Sequence, residues 1–282
     1  MNQQAFETYL YRDNKEGSGK ASSYLKALHW LGEMLRIEPF GFEDALDLWS
    51  VHSVERLIEL RELVKREQKK GDASPWVREG ISKSYLRDGY CSAALTQLIE
   101  FLPQHQFASE ALDRLRAHGD DEAALAGSLN QLDPEVPSDT AHDPSSKDGK
   151  DRIREVKTRL GQYAFREVIL EIYQNRCCLT GLDLPTLNRA SHIIGWAECK
   201  DTRMDPRNGL CLSATYDAAF DRKLITFDED YRMVLSKTIR EHVPSESLRT
   251  YFLSREGDAM ERPQRYRPLQ AYLEEHRKGG EF

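Results

Sequence analysis

Arg176-Cys177-Cys178-Leu179-Thr180-Gly181, then Ala190-Ser191-His192-Ile193, Asn208-Gly209-Leu210-Cys211-Leu212 and Phe220-Asp221-Arg222-Lys223-Leu224-Ile225, form the stretch that decides how this chain is read. The pieces are short and irregular, and they predict brief strands and turns. Upstream, Ile153, Val156, Leu160, Tyr163 and Val168 recur at helical spacing and predict one long helix running towards Tyr173. Its basic residues are Arg152, Arg154, Lys157, Arg159 and Arg166, which suit either a solvated face or contact with phosphates. T-Y-D-A-A-F-D after Ala214 predicts a further helix, and L-I-T-F and Y-R-M-V-L predict two more short strands.

Four residues in this stretch carry chemistry. His192 sits in a small polar and apolar setting, Asn208 follows it, and two carboxylates, Asp217 and Asp221, lie beyond. Residues four apart on a helix share one face, so Asp217 and Asp221 can share a hard divalent cation such as Mg²⁺ or Mn²⁺. A histidine close by can act as general base on a water while the cation stabilises charge on a phosphate oxygen. Each residue also has a plainer reading: a histidine satisfied inside the fold, an asparagine that forms a turn before glycine, and two solvated surface acids. Spacing alone leaves both readings open.

In order and separation the motifs resemble the HNH endonuclease family, in the branch that reads roughly R-C-x-x-T-G, A-S-H-I, N-G-L-x-L and F-D-x-G-L-I. The likeness covers about residues 160–230 and includes Gly161-Gln162 and Phe165-Arg166, similar to a G-Q-x-x-F-R segment of that branch. It implies a ββα-metal fold and metal-dependent hydrolysis of phosphodiester bonds in DNA. Carried over by position, His192 is the general base and Asn208 holds the loop that bears it. Asp217 stands where many members have a histidine ligand, so it is the expected main protein ligand of Mg²⁺ or Mn²⁺, with Asp221 second or orienting it. Ser191 stands where many relatives carry another metal ligand. The two Cys-x-x-Cys pairs of zinc-binding members are missing, so a structural zinc is not expected; Cys177 and Cys211 are expected to pack as small buried hydrophobes. Arg166, Arg203 and Arg207 are candidate nucleic-acid contacts.

Working outward, Leu25, Leu28, Leu31 and Leu35, then Val54, Leu57, Ile58 and Val64, then Leu95, Leu98, Ile99 and Leu102 predict a helical N-terminal domain over residues 1–103, with Ser53 as an N-cap. Its segments from Ser22 to Leu31, Trp49 to Leu57 and Gly89 to Leu102 resemble a helical module found ahead of prokaryotic restriction-type nucleases, which implies DNA binding or docking of a partner. Trp30, Trp49, Trp76, His29 and His52 read as core or edge packing. Residues 104–150 read as an acidic, flexible linker rich in Asp, Pro and Ser, with partial helix around 108–115 and 122–132 as the alternative. Residues 151–282 then form the nuclease-like domain. The fold class expected is mainly α with a small α+β part.

The chain has 282 residues, 39% hydrophobic and 31% charged, and a net charge of −7. By region the net charge is −2 over 1–102, −6 over 103–150 and +1 over 151–282. The acidity therefore lies in the expected linker and does not argue against a nucleic-acid partner. No membrane-length apolar run or signal-like apolar core is visible, and five cysteines, two adjacent, suit reduced thiols, so the cytoplasm is the expected location. The resulting expectation is a metal-dependent DNA endonuclease in prokaryotic restriction or anti-phage defence, with other defence subunits or a second copy as further partners. The alternatives are a nuclease acting on RNA and a nucleic-acid-binding protein with a degenerate metal site.

Overall fold

Helices built on the leucine periodicity open the chain: α1 (Gln3–Asp13), α2 (Lys20–Ile37), α3 (Val54–Lys70), the short α4 (Ser84–Arg87) and α5 (Tyr90–Ala117). The computed structural model describes residues 3–13, 19–118, 121–136, 145–242 and 245–282. They divide into two units, 1–106 with 135–156 and 107–134 with 157–282.

In the first unit, Leu28, Leu31 and Leu35 of α2, Leu57 and Val64 of α3, and Leu95, Leu98 and Leu102 of α5 share one buried cluster, while Leu25, Ile58 and Ile99 pack against it. Ser53 caps α3, its hydroxyl accepting from the Arg56 amide at 3.2 Å, and Gly71 ends that helix in a left-handed conformation (φ 57°) that glycine adopts without strain. Trp76 is fully buried and its indole N–H donates to the Glu38 carbonyl at 2.8 Å, so it is a core residue. Glu67 is buried as well and is satisfied by the Lys70 ammonium and the Ser74 hydroxyl, at 2.6 and 2.9 Å.

The second unit starts inside the segment expected to be a linker. The end of α5 buries Phe107, Ala111 and Leu115, and α6 (Glu122–Asn130) buries Leu125 and Leu129. These residues fall at i, i+4 spacing, enough for one apolar stripe even where acidic residues dominate the composition. Asp121 caps α6 by accepting from the Ala124 amide at 2.9 Å. The helical alternative for 108–115 and 122–132 is thus the observed conformation as far as Asn130, whereas residues 119–120 and 137–144 of the expected linker, Pro137-Ser138-Asp139 among them, lie outside the described residues. The long helix α7 (Lys147–Ile172) follows.

Next come strand β1 (Asn188–His192) and strand β2 (Gly209–Ser213), paired antiparallel with His192 opposite Gly209 and Ser191 opposite Leu210, and then helix α8 (Ala214–Asp221). A second antiparallel pair, β3 (Ile225–Phe227) and β4 (Met233–Leu235), is followed by α9 (Lys237–Glu241), α10 (Glu246–Tyr251) and α11 (Gln270–Lys278). The molecule is mainly α with a small α+β part, and among the described residues no helix is long and apolar enough to cross a membrane.

Gly209 opens β2 beneath α7. A Cβ placed there would lie 2.3 Å from Ile169 Cδ1 and 2.8 Å from Phe165 Cζ, so the backbone can approach α7 this closely only because the side chain is a hydrogen. Gly209→Ala is expected to destabilise the protein by about 1–3 kcal/mol through overpacking, read as a lower midpoint in urea denaturation.

His276 of α11 is buried against Phe220, the rings stacked 3.8 Å apart. Its Nε2 lies 3.1 Å from the Phe220 carbonyl, which can only accept, so Nε2 carries the proton and Nδ1 accepts from the Thr226 hydroxyl at 2.9 Å. Burial first, and the Lys223 charge second, lower its pKa from 6.5 to about 3. Above pH 6.5 folded and unfolded chains both hold this imidazole neutral. As the pH falls from 6.5 towards 3, only the unfolded chain takes up the proton, and stability is lost. Replacing His276 by Gln is expected to flatten the decline of the urea midpoint across this window; an unchanged slope would contradict the account.

Candidate active site

The turn from Cys177 to Gly181 is pinned to the strands by its own backbone. The Cys178 amide donates to the Cys211 carbonyl at 2.8 Å, and the Cys177 sulfur accepts from the Ser213 amide at 3.2 Å. Cys177 and Cys211 are both fully buried, and burial pushes the Cys211 thiol up to about 12, so the two sulfurs act as packing groups. Asn188, also fully buried, donates from its side-chain amide to the carbonyls of Asn175 and Leu182 at 2.7 and 2.8 Å, tying the start of β1 to the end of α7.

His192 ends β1. It stacks on Phe165 of α7 with ring centroids 3.7 Å apart, and the edge of Trp196 closes another side at 5.5 Å. Nε2 lies 3.0 Å from the Arg203 carbonyl. A carbonyl cannot donate, so Nε2 bears the hydrogen and Nδ1 is the nitrogen left with a lone pair. Desolvation lowers the imidazole from 6.5 to about 4, outweighing the opposing effect of the Arg203 carbonyl. At neutral pH the ring is uncharged and one nitrogen is a competent proton acceptor.

Asn208 closes the connection that runs from His192 to β2. Its carbonyl oxygen accepts from the Ile194 amide at 2.8 Å, and its amide nitrogen donates to the Ile194 and Thr202 carbonyls, both at 3.0 Å. It is fully buried with every one of these groups satisfied inside the loop. Asn130 of α6 holds the same loop from outside: its side chain accepts from the Met204 amide at 2.8 Å and donates to the Asp201 carbonyl at 2.5 Å. Trp196 fixes the other end by lying on Gly161 of α7, where a Cβ would come within 2.5 Å of the indole.

Asp217 lies in the first turn of α8, and the buried Ser191 hydroxyl donates to its Oδ1 at 2.5 Å. Successive side chains on a strand leave opposite faces, so Ser191 reaches α8 while His192 reaches α7. Asp221 is one turn further along and open to solvent at the residue level. Packing around its carboxyl and the negative Asp217 nearby raise it above the ordinary carboxylate range. This mutual repulsion of two carboxylates is relieved by a cation. Among the described residues no group of three or more His, Cys, Asp or Glu side chains is placed to hold a metal ion. Asp217 and Asp221 are the two carboxylates present here, and one or two carboxylates are what some hard divalent cations take from a protein.

The three arginines expected at phosphates all have partners within the protein. Arg166 donates to the carbonyls of Asn188 and Pro185 at 2.7 and 2.9 Å. Arg207 forms a two-point pair with the buried Asp205, at 3.0 and 2.9 Å, and the Tyr272 hydroxyl donates to the same carboxylate. Arg203 donates from Nε to the Trp196 carbonyl at 2.6 Å, its guanidinium over the Trp196 ring. The geometry thus adds Ser191, Phe165, Trp196 and Asn130 to the site. Glycine at 161 is the one sequence sign of the tryptophan's seat, and nothing in the sequence marks Asn130.

A family model described as HNH endonuclease matches residues 177–228, the span that holds the ββα arrangement, and it supports a nuclease domain there. No curated protein matches the chain.

Asn208→Ala leaves the amide and the carbonyl of Ile194 without these partners, while the Thr202 carbonyl keeps the Asp205 amide, and it is expected to cost about 1–3 kcal/mol for a buried unsatisfied group. Hydrogen exchange is expected to quicken at amides 193–205 in that variant, and to a smaller degree in Asn130→Ala.

Proposed function

We propose that the chain is a metal-dependent endonuclease that hydrolyses phosphodiester bonds of DNA. The observation that carries this reading is the state of His192, neutral, wedged between Phe165 and Trp196, its Nε2 proton committed to the Arg203 carbonyl. A ring so held cannot rotate away, and Nδ1 is left to take a proton from an attacking water. An approaching phosphodiester anion raises the basicity of the imidazole again, countering the desolvation that depresses it. Asn208 and Asn130 keep Arg203 in the position that sets the His192 tautomer. Asp217, with Asp221 beside it, would hold Mg²⁺ or Mn²⁺, which supplies charge stabilisation at the phosphate. Ser191 takes one lone pair of Asp217 and so fixes the direction in which its second oxygen points.

A second reading has its own support: Ser191 occupies a ligand position and, among the described residues, no third ligating side chain joins the two acids, as expected of a nucleic-acid-binding protein with a degenerate metal site. The role in prokaryotic restriction or anti-phage defence rests on the likeness of the motifs and on the order of the two regions.

Supercoiled plasmid and RNA incubated with the protein in Mg²⁺, Mn²⁺ or EDTA separate these readings. Nicked or linear plasmid that depends on the cation is expected, with His192→Ala slower by roughly 10²–10⁴-fold, the usual contribution of a general base. Binding without cleavage in any of the three conditions favours the degenerate site, and cleavage confined to RNA moves the substrate class. Normal cleavage by Asp217→Ala in Mg²⁺ overturns the ligand assignment.

A further inference from the structure

The second unit carries a cavity of about 520 Å³ that shares no lining residue with the catalytic group. Arg116, Arg176, Arg262 and Arg265 line it, and Glu261 is the one acid among the lining residues. The guanidiniums of Arg176 and Arg262 make no hydrogen bond or ion pair within the described residues, and that of Arg116 has only 3.5 Å pairs, with Asp113 and Glu171. Four guanidiniums around one concavity repel each other, an arrangement that an anion relieves. Two of them are steadied by aromatic rings, Arg262 over Tyr231 at 4.8 Å and Arg265 over Tyr266 at 5.0 Å. Arg265 also donates to the Tyr266 hydroxyl at 2.7 Å, whereas stacking on its face leaves the edge of the Arg262 guanidinium, where the N–H donors lie, able to meet a planar or tetrahedral oxyanion.

The rest of the wall is of another kind. Ile172, Tyr173, Leu115, Pro263 and Tyr266 give it an apolar side. A bare phosphate has no use for that surface, whereas a nucleotide presents a charged phosphate and a flat, largely apolar base together. The backbone shape supports the cavity: just past the end of α7 two consecutive residues, Gln174 and Asn175, are left-handed (φ 52° and 58°) and turn the chain into Arg176, and the Tyr266 amide is tied to Glu122 of α6 at 2.6 Å. We propose that this cavity binds a nucleotide, its phosphate among Arg176, Arg262 and Arg116 and its base against the apolar wall. The inference does not depend on the nuclease reading. Its phosphate can come from a free nucleotide or from a strand of nucleic acid.

Binding is measured on the full chain in EDTA, so that no cleavage is needed. The probes are a nucleoside 5′-monophosphate, its parent nucleoside, inorganic phosphate and a short single-stranded oligodeoxynucleotide. The monophosphate is expected to bind about tenfold or more tightly than the nucleoside or inorganic phosphate, and Arg176→Glu with Arg262→Glu to remove that advantage, as loss of charge-assisted contacts does. Both arginines are exposed, so the double variant should keep the wild-type urea midpoint. If the oligonucleotide alone loses affinity in the double variant, the site serves a strand. Equal binding of both probes by variant and wild type, or inorganic phosphate binding as well as the monophosphate, overturns the proposal.

Discussion

One buried amide holds the site together. Asn208 bonds to both the donor and the acceptor of Ile194 and to the carbonyl of Thr202, so the loop that leaves β1 at His192 must return at Asn208 in a single conformation. The Arg203 carbonyl that orients His192 lies one residue beyond Thr202. Were the loop to open, the imidazole would lose both its tautomer and its shielded environment. A buried side-chain amide satisfied at every atom is costly to disturb, because each freed backbone group would be left without water.

Around that clamp the unit divides its labour by strand face. Ser191 turns to α8 and braces Asp217; His192 turns to α7 and lies on Phe165. The backbone of β2 approaches α7 at Gly209, which keeps the strand pair seated under the histidine. Arginines that look free in the sequence are used as struts: Arg166 on the backbone of β1 and Arg207 on Asp205. Among the described residues, the guanidiniums of Arg176 and Arg262 make no hydrogen bond or ion pair and line a separate cavity.

Much of the architecture was legible from residues. Leucine periodicity marked α2, α3 and α5, Ser53 marked the start of α3, and the Ala214 run marked α8. The short strands were legible because their pieces are too brief and too broken by Gly and Asn for helix. In the acidic stretch after residue 103 the helical alternative is the observed conformation over much of its length, for a physical reason. Composition averages over a window, while burial needs only every fourth residue, and Leu125 and Leu129 suffice to seat α6. The role of Asn130 in holding a loop some seventy residues away has no local signature, since its partners are backbone groups that every residue carries.

The sequence by itself determined which side chains are available for chemistry: a histidine, an asparagine and two acids a helical turn apart, in the order of the HNH pattern. It did so because spacing along a helix or strand is set by backbone geometry alone. Only the tertiary structure decided their states. It made His192 neutral by burying it, chose its proton-bearing nitrogen by placing a carbonyl 3.0 Å away, bound Ser191 to Asp217, and engaged the three expected arginines elsewhere. Protonation, tautomer and free charge depend on what surrounds a group in space, and those surroundings come from residues far apart along the chain.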